Sequence, residues 1–463
     1  MAEAARRIPV VLPWRKMRQV GSRLGWGVAD QAMCSLTNFL LSVYIARSLG
    51  AAEFGAFSLA YVTYGFAINA SRGLSIEPLL IRYSGTAPKI WRRAAAGCSG
   101  TALLVGLATG TLALLAGVLI GGTIGMAFLA LGLTMPGLLL QDSWRYAFFA
   151  NGKGLYAFVN DGLWAAVQIP LLVIVKMTGH ANVFWFVMAW GAGAAVGAVF
   201  GCFQAKVAPR LVGATVWLML HRDLGPRYLV ENTGGNASDT LRSYGTSSIL
   251  GLTAVGDIQA AGVLMGPFKI ILFGLGMITI PEASQIRRRS PRQLPVFCVV
   301  VSLGLTVLAA AWGAVLLVAL PFGLGHLMLG GIWRAAYPLV LPTALAIVAG
   351  CATTGANVGL HALGAAKRSL RSTIITSVIS VTFALVGAVV AGVPGTLYFA
   401  AVGSWLGTLI SWYQFRQALH DSSNVPVPSW MWPPRSGGDQ GSPVASSQLR
   451  RAGPELEARP SRR

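Results

Sequence analysis

Stretches of about 20 mostly apolar residues, long enough to cross a bilayer as helices, recur twelve times in this chain. They lie near 25–45, 54–80, 95–118, 124–149, 155–175, 182–203, 228–250, 258–281, 295–320, 336–362, 372–391 and 395–415. Charge is correspondingly scarce. Only 11% of the 463 residues are charged, against roughly 25% in a soluble domain, too few to cover the surface of a soluble protein of this size. A soluble enzyme is therefore excluded, and the expected fold class is an all-α integral membrane protein of about twelve transmembrane helices. The cysteines (Cys34, Cys98, Cys202, Cys298, Cys351) are scattered, without C-x-x-C or Cys/His spacing. Neither a disulfide framework nor a metal site is expected.

A net charge of +21 would suggest nucleic acid in a soluble chain, but here the charges sort by membrane side. With the N-terminus inside, the inner segments ahead of the tail hold 22 Lys and Arg, from the arm before span 1 to Lys367, Arg368 and Arg371. The outer loops hold three: Arg47, Lys176 and Arg334. Cytoplasmic loops carry the basic excess, so both termini are expected to be cytoplasmic and no nucleic acid is invoked. Arg6, Arg7, Arg15, Lys16, Arg18 and Arg23 precede a first span of full length, unlike a cleavable signal. The expected organisation is a basic arm 1–24, a six-helix lobe 25–204, a linker 205–227, a second six-helix lobe 228–415 and a tail 416–463. The tail's Ser/Pro/Gly/Arg composition reads as disordered.

The two lobes repeat at an offset near 206. Residues 48–55 resemble 254–261, Ile76-Glu77-Pro78 lies close to the counterpart of Ile280-Pro281-Glu282, and Pro136 maps onto Pro342. Parallel repeats of this kind place substrate between the halves and rock one half against the other.

The run Trp26-Gly27-Val28-Ala29-Asp30-Gln31, continuing through Ile45-Ala46-Arg47-Ser48-Leu49-Gly50 to Glu53-Phe54-Gly55, resembles the opening of bacterial polysaccharide flippases. These are the Wzx-type O-antigen translocases of the multidrug/oligosaccharidyl-lipid/polysaccharide (MOP) exporter superfamily. The element A-R-x-L-G-x-x-E-F-G is the most specific part; the similarity is clearest over 26–80 and weaker in the second half. It implies flipping of undecaprenyl-diphosphate-linked sugar units across a bacterial cytoplasmic membrane, with polysaccharide polymerase or assembly proteins as possible partners beside substrate and membrane lipids.

Ionisable residues inside spans cost at least about 2.5 kcal/mol each if they face lipid, so most should face a wet cavity or a partner. Span 7 carries a polar stripe, Asn232, Asn236, Asp239, Arg242 or Ser243, and Thr246, at helical spacing. Gly234-Gly235 would loosen that helix, and Asp239 and Arg242 could instead satisfy each other as an i,i+3 pair. Asp142 and Arg145 in span 4 have the same spacing. Arg72 and Lys269 have no carboxylate three or four residues away, so each needs a partner elsewhere, and a diphosphate would serve. Arg72, Arg145, Arg242 and Lys269 are the candidate diphosphate ligands, since Arg suits phosphate through its planar fork. Asp30, Asp161 and Asp239 are candidates for ion coupling or partner charge, without a cofactor but with possible coupling to an H+ or Na+ gradient. Glu77 and Glu282, beside prolines at inner helix ends, are gating candidates. Gly193, Gly197 and Gly201 read as a helix-packing ladder, and Trp14, Trp26 and Trp91 as interfacial anchors.

The rival reading is a cation-coupled multidrug exporter of the same superfamily, in which Asp30, Asp161 and Asp239 would exchange a proton or sodium for a cationic drug. A membrane glycosyltransferase or polymerase is disfavoured by the short, nearly charge-free outer loops. An ATP-driven pump is excluded by the missing G-x-x-x-x-G-K-[ST] loop.

Overall fold

The structure, a computed structural model, describes residues 14–268, 279, 282–283, 286–287 and 290–424. Among them every regular element is helical. The first lobe consists of α1 (Trp14–Ser48), α2 (Ala51–Ser71), a π-helical turn (Arg72–Ile76) leading into α3 (Glu77–Tyr83), α4 (Pro88–Ile120), α5 (Gly122–Ala150), α6 (Gly154–Met177) and α7 (Val183–Ala205). A short apolar helix, α8 (Leu211–Leu220), lies in the linker. The second lobe consists of α9 (Gly225–Leu264), α10 (Leu294–Ala319), α11 (Gly325–Leu329), α12 (Trp333–Leu363) and α13 (Ala366–Asn424).

Eleven of the twelve expected spans have a helical counterpart among the described residues, because α9 and α13 are each two helices joined at a sharp break; of the eighth, 258–281, only 258–268 and 279 are described. In α9 the break is Gly251 (φ 82, ψ 178); in α13 it is Ala391–Gly392, where Gly392 has φ 62. Those left-handed values suit glycine, which lacks the Cβ that would clash. The break in α9 therefore falls at Gly251, and the backbone stays helical through the Gly234-Gly235 pair expected to loosen it. The last helix also continues beyond residue 415, to Asn424. Trp412, Phe415 and Ala418 keep one face at helical spacing packed into an apolar cluster, which interspersed Arg416 and His420 hide from a hydropathy window. Residues 425–463, the rest of the expected tail, lie outside the described residues.

Helix contacts rest on glycine. In α4, Gly106, Gly110 and Gly117 lie against the backbone of α5 at Pro136, Gly132 and Gly125, where any Cβ would collide. Small residues permit this close approach, on which helix association in lipid depends. Trp91 is not an interfacial anchor. It is 3% exposed, and its Nε1 donates to Ala147 O at 3.0 Å, as a buried indole N–H requires.

The ends of the bundle differ. At the end carrying the α1–α2 turn, which is poor in basic residues, one apolar cluster runs through both lobes. It joins Leu41, Ile45 and Leu49 to Ala260, Leu264 and Leu329. At the basic-rich end each lobe keeps its own cluster, around Trp144 and Trp217 in the first and around Cys298 and Phe415 in the second. The lobes are thus sealed together at the basic-poor end.

Side assignment is directly testable. Cysteines at Thr123 and Ala391, beside the glycine turns, are expected to react with an impermeant maleimide in intact cells in a cysteine-free background. Those at Ser290 and Lys367 should react only after permeabilisation. External labelling of Ser290→Cys would refute twelve spans with internal termini.

Candidate functional site

The site begins with a proline. Pro78 lacks the N–H that would bond Leu74 O four residues earlier, and its ring crowds that carbonyl. The chain widens there into the π-helical turn Arg72–Ile76, and Leu74 O accepts from Trp217 Nε1 at 3.3 Å instead. Such π-turns recur at functional sites; this one carries Arg72 at its first position.

In α5, Gln141, Asp142, Arg145 and Tyr146 are spaced four apart in two pairs, which gathers them on neighbouring strips of one face. Asp142 and Arg145 do not pair with each other. Arg72 grips Asp142 through two bonds, Nε to Oδ2 at 2.9 Å and Nη2 to Oδ1 at 2.8 Å. Arg145 reaches to other helices: it lies 2.6 Å from Asp30 on α1 and 3.1 Å from Asp161 on α6. The same guanidinium donates to Gln31 Oε1 at 3.2 Å. The Tyr146 ring stands between the two cations, 5.1 Å from the Arg72 guanidinium and 5.8 Å from that of Arg145.

Neutral groups complete the network. Gln141 Nε2 donates to Asp161 Oδ1 and to Asn160 Oδ1, and the Cys34 thiol donates to Asp161 Oδ2 at 2.7 Å. Asn160 Nδ2 donates to Gly197 O at 2.8 Å. The glycine ladder of α7 is what seats them. Gly193 faces Trp164 and Gln168, Gly197 faces Gln141 and Asn160, and Gly201 faces Trp144, each too closely for a Cβ without displacement of its neighbour.

Three carboxylates therefore face two guanidinium groups, a net charge of −1 when all are ionised. Asp30 is fully buried and the Arg145 side chain is 12% exposed, whereas that of Arg72 is 27% exposed. Asp30, Cys34 and Asp161 bring one ligand atom each within 4.8 Å of one another. With Arg145 already between the carboxylates, the surplus charge matches a proton or a monovalent cation better than a divalent one. A small cavity opens beside the network, with Arg72, Arg145, Asp142, Asp161, Thr37 and Gln168 among its walls.

The remaining expected residues that are described lie apart from this cavity's walls. Asp239 and Arg242 bond each other at 2.8 Å on α9, their side chains 64% and 37% exposed. Glu77 opens α3, near Asn232 on α9, across the lobe boundary. Glu282 is exposed, and Lys269 lies outside the described residues. Reading the sequence missed Gln141, Tyr146 and Cys34. The signal available was Gln141-Asp142 followed four residues later by Arg145-Tyr146, a polar strip in an otherwise apolar span.

No protein-family model and no curated protein matches the chain. Among solved structures it is similar to a multidrug resistance MATE-family transporter of the MOP superfamily in an inward-facing conformation. The TM-score is 0.65 at 14% identity, over 86% of this chain and 96% of that one. The fold is that of the MOP-superfamily transporters. Lipid II flippase MurJ, in an inward closed conformation, also gives a TM-score of 0.65, at 11% identity over 87% of this chain and 91% of that one. An outward-facing MATE conformation of the MOP superfamily gives 0.52 at 14% identity, over 87% and 96%.

Proposed function

We propose that this chain translocates an anionic lipid-linked oligosaccharide, of the undecaprenyl-diphosphate class, across a bacterial cytoplasmic membrane by alternating access. The observation that carries the reading is a shared cavity wall: Arg72 and Arg145 both line it, and neither Nη1 makes a hydrogen bond among the described residues. Each cation is held in place by carboxylates yet keeps a donor for phosphate, and charge-assisted bonds from Arg to phosphate are among the strongest available. A proton or monovalent cation at Asp30, Cys34 and Asp161 would cancel the surplus negative charge, leaving Arg145 to attract the diphosphate more strongly. Ion and substrate would then favour each other's binding. The apolar seal at the basic-poor end leaves the basic-rich end as the side on which the cavity would open, and Glu77, beside the second lobe there, is the candidate gate.

The surplus carboxylate also favours a second reading, a cation-coupled exporter of cationic drugs. One variant pair separates the two. Arg72→Gln combined with Asp142→Asn removes the cation and its counter-charge together, so the buried charge stays balanced. In a flippase-deficient strain, surface polysaccharide is expected to fall at least tenfold with this pair at normal protein level, and Arg72→Lys should retain part of it, since the fork is lost. Unchanged polysaccharide in the double variant, with drug resistance lost in Asp161→Asn, would establish the exporter instead.

A further inference from the structure

We infer that the groove between α1 and α6 seats the substrate's lipid, its apolar chain lying along the groove and its phosphate meeting Arg47 and Lys176. This deepens the flippase reading and rests on it. The groove is a concavity walled by Leu40, Leu41, Val43, Ile169, Leu172 and Val173. Leu40 is 47% exposed and Ile169 46%, so the groove faces the bilayer, where an apolar chain enters without crossing a polar barrier.

Its basic-poor end holds Arg47 and Lys176, each in the last turn of its helix. Neither forms an ion pair among the described residues. Arg47 spends only Nη1, on Leu327 O at 2.7 Å, and Lys176 Nζ stands 5.3 Å over the Tyr44 ring. Two of the three basic residues of the outer loops thus meet at one groove end. Cations in a last helical turn also complement the helix dipole, but that does not require both at one concavity.

The other end of the groove joins the charged cavity, for Thr37 and Gln168 line both. Gln168 is 1% exposed, and its Nε2 is buried without a partner. A buried donor left unbonded is costly, and an oxygen of a passing ligand would satisfy it. A bulk phospholipid would suit the apolar walls and the two cations equally. The open junction to the charged cavity, with an unsatisfied donor at it, favours a lipid whose head enters that cavity. From Cys34 to Arg47 the path along α1 is about 20 Å at 1.5 Å per residue. The phosphate could travel it from the Arg145 network to Arg47 and Lys176 while its chain stays in the groove.

The test uses the full-length protein in detergent, undecaprenyl phosphate as probe and phosphatidylglycerol as competitor, with binding read by native mass spectrometry. Arg47→Gln with Lys176→Gln is expected to weaken probe binding at least tenfold in protein that still folds, since both side chains are exposed. Ile169→Trp, which fills the groove, should weaken it as much. Phosphatidylglycerol should displace less than a tenth of the probe at equal concentration. Unaltered probe affinity in both variants would overturn the groove while wild-type export keeps the flippase reading intact. Equal displacement by phosphatidylglycerol would make this a bulk-lipid site and also overturn it. A wild-type protein that neither binds the probe nor restores polysaccharide would instead sink the flippase reading itself.

Discussion

Replacing Arg145 by Gln is expected to abolish transport and to cost about 3–5 kcal/mol of stability, the range for removing one partner of a buried ion pair. The physical reason is the fate of the carboxylates it leaves behind. Asp30 is 0% exposed and Asp161 4%, and Arg145 is the cation both touch. Without it, two negative charges face each other in a medium of low dielectric constant. Neutralising one of them should therefore recover stability but not function: Arg145→Gln with Asp161→Asn is expected to melt closer to wild type and still fail to export. Thermal unfolding in detergent, set beside surface polysaccharide in the flippase-deficient strain, reads both effects. A single Arg145→Gln variant that melts like wild type would show that the network adds nothing to stability.

The second large effect is expected at Gly55. It and Gly256 mark the crossing where α2 meets α9: a Cβ on Gly55 would stand against the Leu252 carbonyl, and one on Gly256 against that of Ala51. These are backbone atoms, which cannot rotate out of the way as a flexible side chain can. Gly55→Val should force the helices apart at the basic-poor end, at an overpacking cost of about 1–3 kcal/mol, and reduce export at least tenfold by unsealing that end. A cysteine at Thr63, whose hydroxyl bonds that of Tyr244 on α9, should become reactive to an impermeant maleimide in this background. Gly50→Ala is the control. Gly50 lies one turn away with φ −72 and nothing within 4 Å of its would-be Cβ, so it should export normally. If Gly55→Val exports normally as well, the tight crossing is not needed for the transport cycle.

The most specific motif of the sequence acquires its physical content here. In A-R-x-L-G-x-x-E-F-G, the arginine is Arg47, which ties α1 to Leu327 of the other lobe. The last glycine is Gly55, where the lobes cross, and Phe54 is wholly buried in the cluster that joins them. What the motif encodes is a seal between lobes, and nothing in the spacing of its residues reveals the surface that each one meets.

The helical spans were legible in the sequence because partition into a bilayer is local: each residue contributes according to its own polarity, whatever lies beside it in space. The same locality explains what stayed hidden. Spacing along one helix made Asp142 and Arg145 look like partners, but a guanidinium on a long side chain reaches neighbouring helices as easily as the next turn. Only the packing of α1, α2, α5 and α6 decided that Arg72 takes Asp142 while Arg145 takes Asp30 and Asp161. The four cations that looked unpaired or locally paired suggested a positive cavity; the two that line it are outnumbered by three carboxylates. Trp91 followed the same rule, since its place near a span end was visible and the carbonyl of Ala147 waiting across the helix interface was not. The sequence by itself determined that the chain folds as apolar membrane helices and roughly where they run, because burial in lipid is a property of single segments. Which charges neutralise one another was decided only by tertiary structure, because charge pairing depends on distances between segments that are remote along the chain.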